Sequence, residues 1–417
     1  MVICNNKKKS SPFDNIIWFL TVVLFASFSI WGSNIYISYI LFGITLCIFG
    51  VTVIKQRGKI VLEFDSFHQH VLAISIFCII SAVWAWNSSN AISKGVTIFE
   101  ILVCFSMLYM YYRNDTNVSR LLNAVKWSGY VVTIYAFMKY GFTTISDVIN
   151  TGSRLENGFN NINSIALVAS ISLVIAVFQI VYGNRNISHL LCLPCVLFIA
   201  VSGTRKAIIF VVVSLTYILI QRFGSKNVVL NILKIIVVIG LLFSSLLLLS
   251  KLEIFQGVTH RMAGIISLIT GNGVVESSAE KRFLYSKAAF DQFLNNPILG
   301  IGIDNCRYII GSNFGFETYA HNNYAELLCD GGIVGFVIYY SMHVTCLKKL
   351  RKYKKCDPLN VICIALILSI LFNDIADVGY YAKMTYAYFM IFFLQIKSNS
   401  IFAIERRREK EHLGGSL

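Results

Sequence analysis

The stretch 163–182, NSIALVASISLVIAVFQIVY, is twenty residues long and holds no Asp, Glu, Lys or Arg. At about 1.5 Å per residue, a helix of that length matches the ~30 Å hydrocarbon core of a bilayer. Similar apolar segments lie near 15–32, 35–54, 70–86, 95–112, 121–141, 188–202, 207–221, 228–250, 322–346, 359–373 and 383–397. Together they predict an all-α, polytopic membrane protein with about twelve spans. The composition agrees: 56% of residues are hydrophobic and 14% charged, against about 25% charged in soluble domains. A mean hydropathy of +0.67 points the same way. A large soluble enzyme, a disordered chain and a disulfide-rich secreted domain are excluded.

The net charge of +15, from 36 Lys+Arg and 21 Asp+Glu, has a topological reading. With a cytoplasmic N-terminus, most basic residues fall on cytoplasmic segments. Among them are Lys7–Lys9, the 348–355 run and the tail from Lys397 through Lys410. The positive-inside rule therefore favours twelve spans with both termini cytoplasmic, with no need for nucleic acid. The first apolar stretch lacks a small-residue cleavage site and is expected to be retained. The expected organisation is a bundle of about nine helices over 1–250, an extracytoplasmic loop over 251–320, further spans over 321–400, and a basic cytoplasmic tail over 401–417.

Two features oppose the topology signal. Arg205 and Lys206 fall in the short outer turn Ser202-Gly203-Thr204-Arg205-Lys206. Something must favour cations there, and an anion site is the functional explanation. The second is the 251–320 loop, long enough to suggest function. In it Phe283, Ala289, Phe290 and Phe293 recur at helical spacing, which predicts an amphipathic helix lying on the membrane. It ends at the turn signal Asn295-Asn296-Pro297.

The strongest local pattern is Tyr319-Ala320-His321-Asn322-Asn323-Tyr324-Ala325-Glu326-Leu327-Leu328-Cys329-Asp330-Gly331-Gly332-Ile333-Val334-Gly335. It sets a His at the mouth of a span, where water, headgroups and substrate meet. Gly332 and Gly335 permit close helix approach. Glu326 and Asp330 share one helix face, while Asp374 and Asp377 lie three apart at the outer end of the eleventh span. Intramembrane charges are costly and usually face a cavity. Cys192-Leu193-Pro194-Cys195 sits in an apolar run with no second pair, which favours packing over redox or metal chemistry. There is no P-loop, dinucleotide fingerprint or metal-ligand constellation, so neither cofactor nor metal is expected.

These motifs resemble a known family. His321-Asn322, nine residues, then Gly332-Ile333-Val334-Gly335 resembles the H[NSQ]-x9-G-x-x-[GTY] motif of the O-antigen ligase and Wzy-type polymerase superfamily. Arg205-Lys206-Ala207-Ile208-Ile209 resembles its R-x3-L motif, with Ile in the Leu position. The Arg282 helix, followed by Asn296-Pro297-Ile298-Leu299-Gly300-Ile301-Gly302, is similar to the large periplasmic loop. Asn373-Asp374 resembles a later acidic position. The likeness covers roughly residues 150–380.

The resemblance implies a GT-C-like, metal-independent glycosyltransferase of the bacterial inner membrane, with its active site facing outward. It implies an undecaprenyl-diphosphate-linked oligosaccharide donor. The acceptor is another carrier-linked repeat unit in polymerases, or the lipid A–core in ligases. A chain-length regulator is a further partner to expect. Arg205 and Arg282 would neutralise the departing diphosphate, with Lys206 and Lys281 as weaker candidates. His321 would serve as the base for the acceptor hydroxyl. Asp374 or Glu326 would orient it or hold a sugar hydroxyl, and Asn322 and Arg154 are further substrate-binding candidates. The contexts of His321 and Arg205 look more like those of polymerases. A lipid-linked oligosaccharide transporter is the alternative from another class, but the halves show no convincing internal repeat.

Overall fold

The computed structural model describes residues 12–31, 35–55, 63–115, 118–151, 155, 161–183, 186–224, 277–354 and 356–414. These residues are helical, with no strand among them. The helices are α1 (Pro12–Trp31), α2 (Ile35–Lys55), α3 (Ser66–Ile80), α4 (Ser88–Asp115), α5 (Val118–Thr151), α6 (Ile162–Val181), α7 (Cys192–Ser202), α8 (Arg205–Phe223), α9 (Ser277–Asn295), α10 (Cys306–Phe314), α11 (Asn323–Lys352), α12 (Leu359–Asn373) and α13 (Lys383–Gly414). Seven of the described helices are long and apolar enough to cross a membrane, and the shorter apolar helices include Leu359–Asn373. Every expected span except 228–250 coincides with a helix. That one, with the first part of the 251–320 loop, lies outside the described residues.

The expected span at 121–141 is α5, which is not among the seven. Lys126 is 3% exposed inside the bundle. Its ammonium donates to Gln179 Oε1 at 2.9 Å, so the buried charge keeps a polar partner. The helix α12 is apolar on every side, as a helix enclosed by others must be. It packs along α8, where the Ser214 and Ser369 hydroxyls meet at 2.6 Å. Cys192 and Cys195 are free thiols at the start of α7, and Cys195 is buried in an apolar cluster with Phe198 and Ala166.

The fold turns on a break in α11. Gly332 has φ 58° and ψ −162°, a conformation that strains any residue bearing a Cβ. A break exposes backbone groups that lipid cannot satisfy, so protein must supply their partners. The returning segment after α9 does so. Ile333 N–H donates to Pro297 O (2.8 Å) and Val334 N–H to Ile298 O (3.2 Å). In return, Ile301 N–H donates to Cys329 O (3.0 Å) and Gly302 N–H to Asp330 O (2.9 Å). The other side of this segment meets the α3–α4 turn: Trp84 Nε1 donates to Leu299 O at 3.1 Å and Ile303 N–H to the Ser81 hydroxyl at 3.1 Å.

The two glycines of the His321 pattern thus do different work. Gly335 gives close approach, since a Cβ there would lie 2.6 Å from the Phe77 ring of α3. Gly332 instead makes the break, and a Cβ on it would stand 2.3 Å from Ile298 O. Gly332→Ala is expected to lose roughly 1–3 kcal/mol from backbone strain alone. The melting temperature of the purified protein should fall accordingly, and an unchanged value would contradict the break.

The α9 helix forms as expected, but its faces divide differently. Tyr285 and Ala289 are buried against α10 and the start of α11. Phe283, Phe290 and Leu294 are exposed on its other side, an apolar face suited to a membrane surface.

Candidate functional site

His321 precedes α11 and adopts φ 56°, uncommon for a residue other than glycine. Three neighbours hold it there. Asn322 is the N-cap, and its side chain accepts from Tyr324 N–H (3.0 Å) and Ala325 N–H (3.1 Å). Glu326, one turn into the helix and 2% exposed, reaches back to accept Ala320 N–H at 2.7 Å. From α9, the Ser286 hydroxyl lies 3.0 Å from Ala320 O and 2.9 Å from Arg282 O. The loop carrying His321 is therefore fixed on both sides.

The imidazole lies against two phenol rings. The Tyr319 ring centroid is 4.0 Å away, and the Tyr285 ring lies at 6.3 Å and nearly parallel. Burial first, then the positive charge of Arg282, push the His321 pKa down to about 4. Lys206 adds to this and Asp377 opposes it. His321 is accordingly a neutral imidazole at ordinary pH. Tyr319 senses the same groups: its phenol is raised by burial, then by Asp377, against the pull of Arg282.

Lys206 and Asp377 form an ion pair at 2.5 Å, with side chains 10% and 21% exposed. Arg205 and Lys206 open α8. Gly203, in a left-handed conformation at φ 60°, reverses the chain just before them. The Ser202 hydroxyl donates to Thr204 Oγ1 (3.1 Å), and Thr204 donates in turn to Asn163 Oδ1 (3.1 Å). Gly203 and Thr204 are buried, and Arg205 and Lys206 half-buried. The turn is enclosed by protein, and the amino end of a long helix adds its own preference for an anion.

Asn323, to which the sequence reading gave no role, organises this end of the bundle. Asn323 Nδ2 donates to the Tyr340 phenol oxygen (2.9 Å) and lies 3.3 Å from Asp374 Oδ2. Its Oδ1 accepts from Gly379 N–H (3.0 Å) and Tyr380 N–H (3.1 Å). The 374–380 turn, which carries Asp377, is thereby tied to the residue two after His321. Asp377 then holds Lys206. The spacing of Asp374 and Asp377 flagged this turn, but nothing local named Lys206 as a partner.

The other candidates are placed as follows. Arg282 is half-buried and Lys281 exposed, both on α9. Asp374 is 2% exposed and accepts from the Tyr340 phenol at 2.9 Å, so it sits in the packing behind the site. Glu326 likewise has its carboxylate turned to backbone. Arg154 lies outside the described residues. His321, Arg282, Lys206 and Asp377 come together; Asp374 and Glu326 support them from inside.

Helices and charged centre define a polytopic, all-α membrane protein with a cationic, imidazole-bearing site at one end of its bundle. Residues 190–340, about a third of the chain, match the family model described as O-antigen ligase. The matched segment contains Arg205, Lys206, Arg282 and His321, while Arg154 and Asp374 lie outside it. No curated protein matches the chain.

Proposed function

We propose that this chain transfers a glycan from an undecaprenyl-diphosphate-linked donor to an acceptor hydroxyl, on the outer face of the bacterial inner membrane and without a metal. The product would be a surface polysaccharide built by joining repeat units. One observation carries this reading: a neutral His321, fixed in a left-handed conformation, lies within the electrostatic field of Arg282 and Lys206.

The chemistry follows from charge. As the bond between the anomeric carbon and the diphosphate breaks, its electron pair goes to the phosphate oxygen. Guanidinium groups of Arg282 and Arg205 are suited to that developing charge, being planar and permanently cationic. The acceptor oxygen bonds to the anomeric carbon from the opposite face, inverting it, and its proton passes to His321. By itself His321 is a poor base because burial, and then the charges of Arg282 and Lys206, oppose its protonation. A bound diphosphate offsets those cations and raises the proton affinity of His321. The base thus gains strength when the donor is present. Lys206 is released from Asp377 toward the phosphate, and Lys281 lies one residue from Arg282 on the exposed side of α9. Asn322 and Glu326 act by holding the His321 loop, and Arg154 is kept as a substrate-binding candidate.

The pH dependence checks this. His321 must be neutral to accept a proton, so kcat/KM of the wild type should hold from pH 8 down to about 5 and fall toward the His321 pKa of about 4. Arg282→Gln removes a charge that lowers that pKa, so its acidic limb should move to higher pH. An unmoved limb in the variant would argue against the pairing of these residues.

Transfer of the glycan to lipid A–core is the second reading, favoured by the description of the matching family as O-antigen ligase. A deletion strain separates them. Single repeats on the lipid core mark a lost polymerase, and polymer left on the carrier lipid marks a lost ligase. The orientation is tested by Ser312→Cys, an exposed position on α10. Labelling from outside intact spheroplasts is expected, and labelling only from the cytoplasm would reverse the topology. A chain-length regulator would act on the same product.

A further inference from the structure

A second cationic pair stands at the same end of the bundle, outside the centre described above. Asp304 places one carboxylate oxygen 2.5 Å from Arg307 Nη2 and the other 3.8 Å from Lys94 Nζ. One carboxylate thus serves two cations. Lys94 also lies 3.7 Å from the centre of the Tyr381 ring, a cation–π contact. The Arg307 side chain is 36% exposed, yet its Nε is buried and has no hydrogen-bond partner among the described residues. Two cations held by one carboxylate keep a net positive charge, which a bound anion would offset.

The pair is held by a rigid frame. Asp304 has φ 61°, and its N–H donates to Asp330 Oδ2 at 2.9 Å. Asn90 and Asn87, at the start of α4, donate to the Tyr308 phenol oxygen at 3.0 and 2.8 Å. The other carboxylates nearby are engaged: Glu326 by Ala320 N–H, and Asp330 by the N–H groups of Asp304, Asn305 and Cys306. Tyr381 links the two centres. Its phenol is raised by burial, then by Glu326 and Asp304 on one hand and by Tyr319 and Asp377 on the other.

We propose that Lys94 and Arg307 bind a phosphate group of the lipid-borne acceptor, as the counterpart of the donor site at Arg205, Lys206 and Arg282. The proposal rests on the glycan-transfer reading. That reaction brings two lipid-anchored substrates to one His321. Each lipid anchor keeps its phosphate at the membrane surface, so the acceptor needs its own cations beside the reacting centre. With Nε buried and Nη2 held by Asp304, the exposed part of the Arg307 guanidinium and the Lys94 ammonium are what a phosphate would meet.

The test uses the full chain in phosphatidylcholine nanodiscs, with undecaprenyl diphosphate as the probe and native mass spectrometry as the count. Two molecules per wild-type chain are expected. Arg282→Gln should lose one, and the Lys94→Gln/Arg307→Gln double variant should lose the other. Arg307→Lys keeps the charge and removes the planar guanidinium, and it should weaken the second binding event about tenfold. Melting temperatures verify that each variant is folded, and the single variant carries the test if the double one is not. A single bound molecule, lost in Arg282→Gln and untouched by changes at Lys94 and Arg307, would overturn the acceptor site and leave the donor reading standing. Displacement of the second molecule by added phosphatidylglycerol would make this a phospholipid headgroup site and also overturn it. No binding by the wild type would overturn the glycan-transfer reading itself.

Discussion

Replacing His321 by asparagine is expected to reduce glycan transfer by about 10²–10⁴-fold, the usual contribution of a positioned general base. Asparagine is the informative substitution. The position has φ 56°, and asparagine tolerates that region better than most residues. The loop, its Asn322 cap and the bond from Ala320 N–H to Glu326 should all persist. What disappears is the imidazole. Strains carrying the variant should make normal amounts of protein and no long-chain polysaccharide. Wild-type chain lengths would remove His321 from the chemistry. His321→Ala should lose the same activity, with some added instability from its backbone.

Asp330→Ala is expected to be the most destabilising single change at this end of the bundle. The Asp330 carboxylate is fully buried and accepts N–H groups from Asp304 (2.9 Å), Asn305 (3.1 Å) and Cys306 (2.7 Å). Its truncation would leave three buried donors unpaired, at about 1–3 kcal/mol each. The total, about 3–9 kcal/mol, is comparable with the whole stability of about 5–15 kcal/mol that native proteins have. The measurement is the yield of monodisperse protein in detergent and its melting temperature. A near-normal melting temperature would mean that the 296–306 segment is not anchored to α11 as described.

Asp330 also illustrates what was legible in the sequence and what was not. Its position four residues after Glu326, on one helix face, was plain from spacing, and it suggested a cavity. The structure gives both carboxylates to backbone N–H groups, because a broken helix and a returning loop create donors that must be satisfied. Partners for Asp330 lie 24–26 residues away in sequence, beyond any local pattern. The Asn296–Gly302 stretch was readable as a turn; its pairing with the Gly332 break was not.

Periodicity and charge carried further. The apolar runs gave the helices, and the cations at 205 and 206 stood out because they opposed the topology rule. The His321 pattern drew attention to the residue that the structure surrounds with Tyr319, Tyr285 and the field of Arg282. The Lys206–Asp377 pair, 171 residues apart, and the role of Asn323 in tying down the 374–380 turn depended on tertiary contact. Lys94 was passed over, since a single lysine beside a span end is a weak signal even on the outer side.

We propose transfer of a diphosphate-linked glycan at the centre where His321, Arg282 and Lys206 come together, with Arg205 adjoining Lys206 at the start of α8. Its most direct measurement is a reaction with purified protein in nanodiscs and an undecaprenyl-diphosphate-linked repeat unit. Released undecaprenyl diphosphate and lengthened glycan are counted together. Equal amounts of the two are predicted for the wild type, with release falling about 10²-fold or more in folded His321→Asn and Arg282→Gln proteins. Undiminished release and lengthening in those two variants would contradict the account.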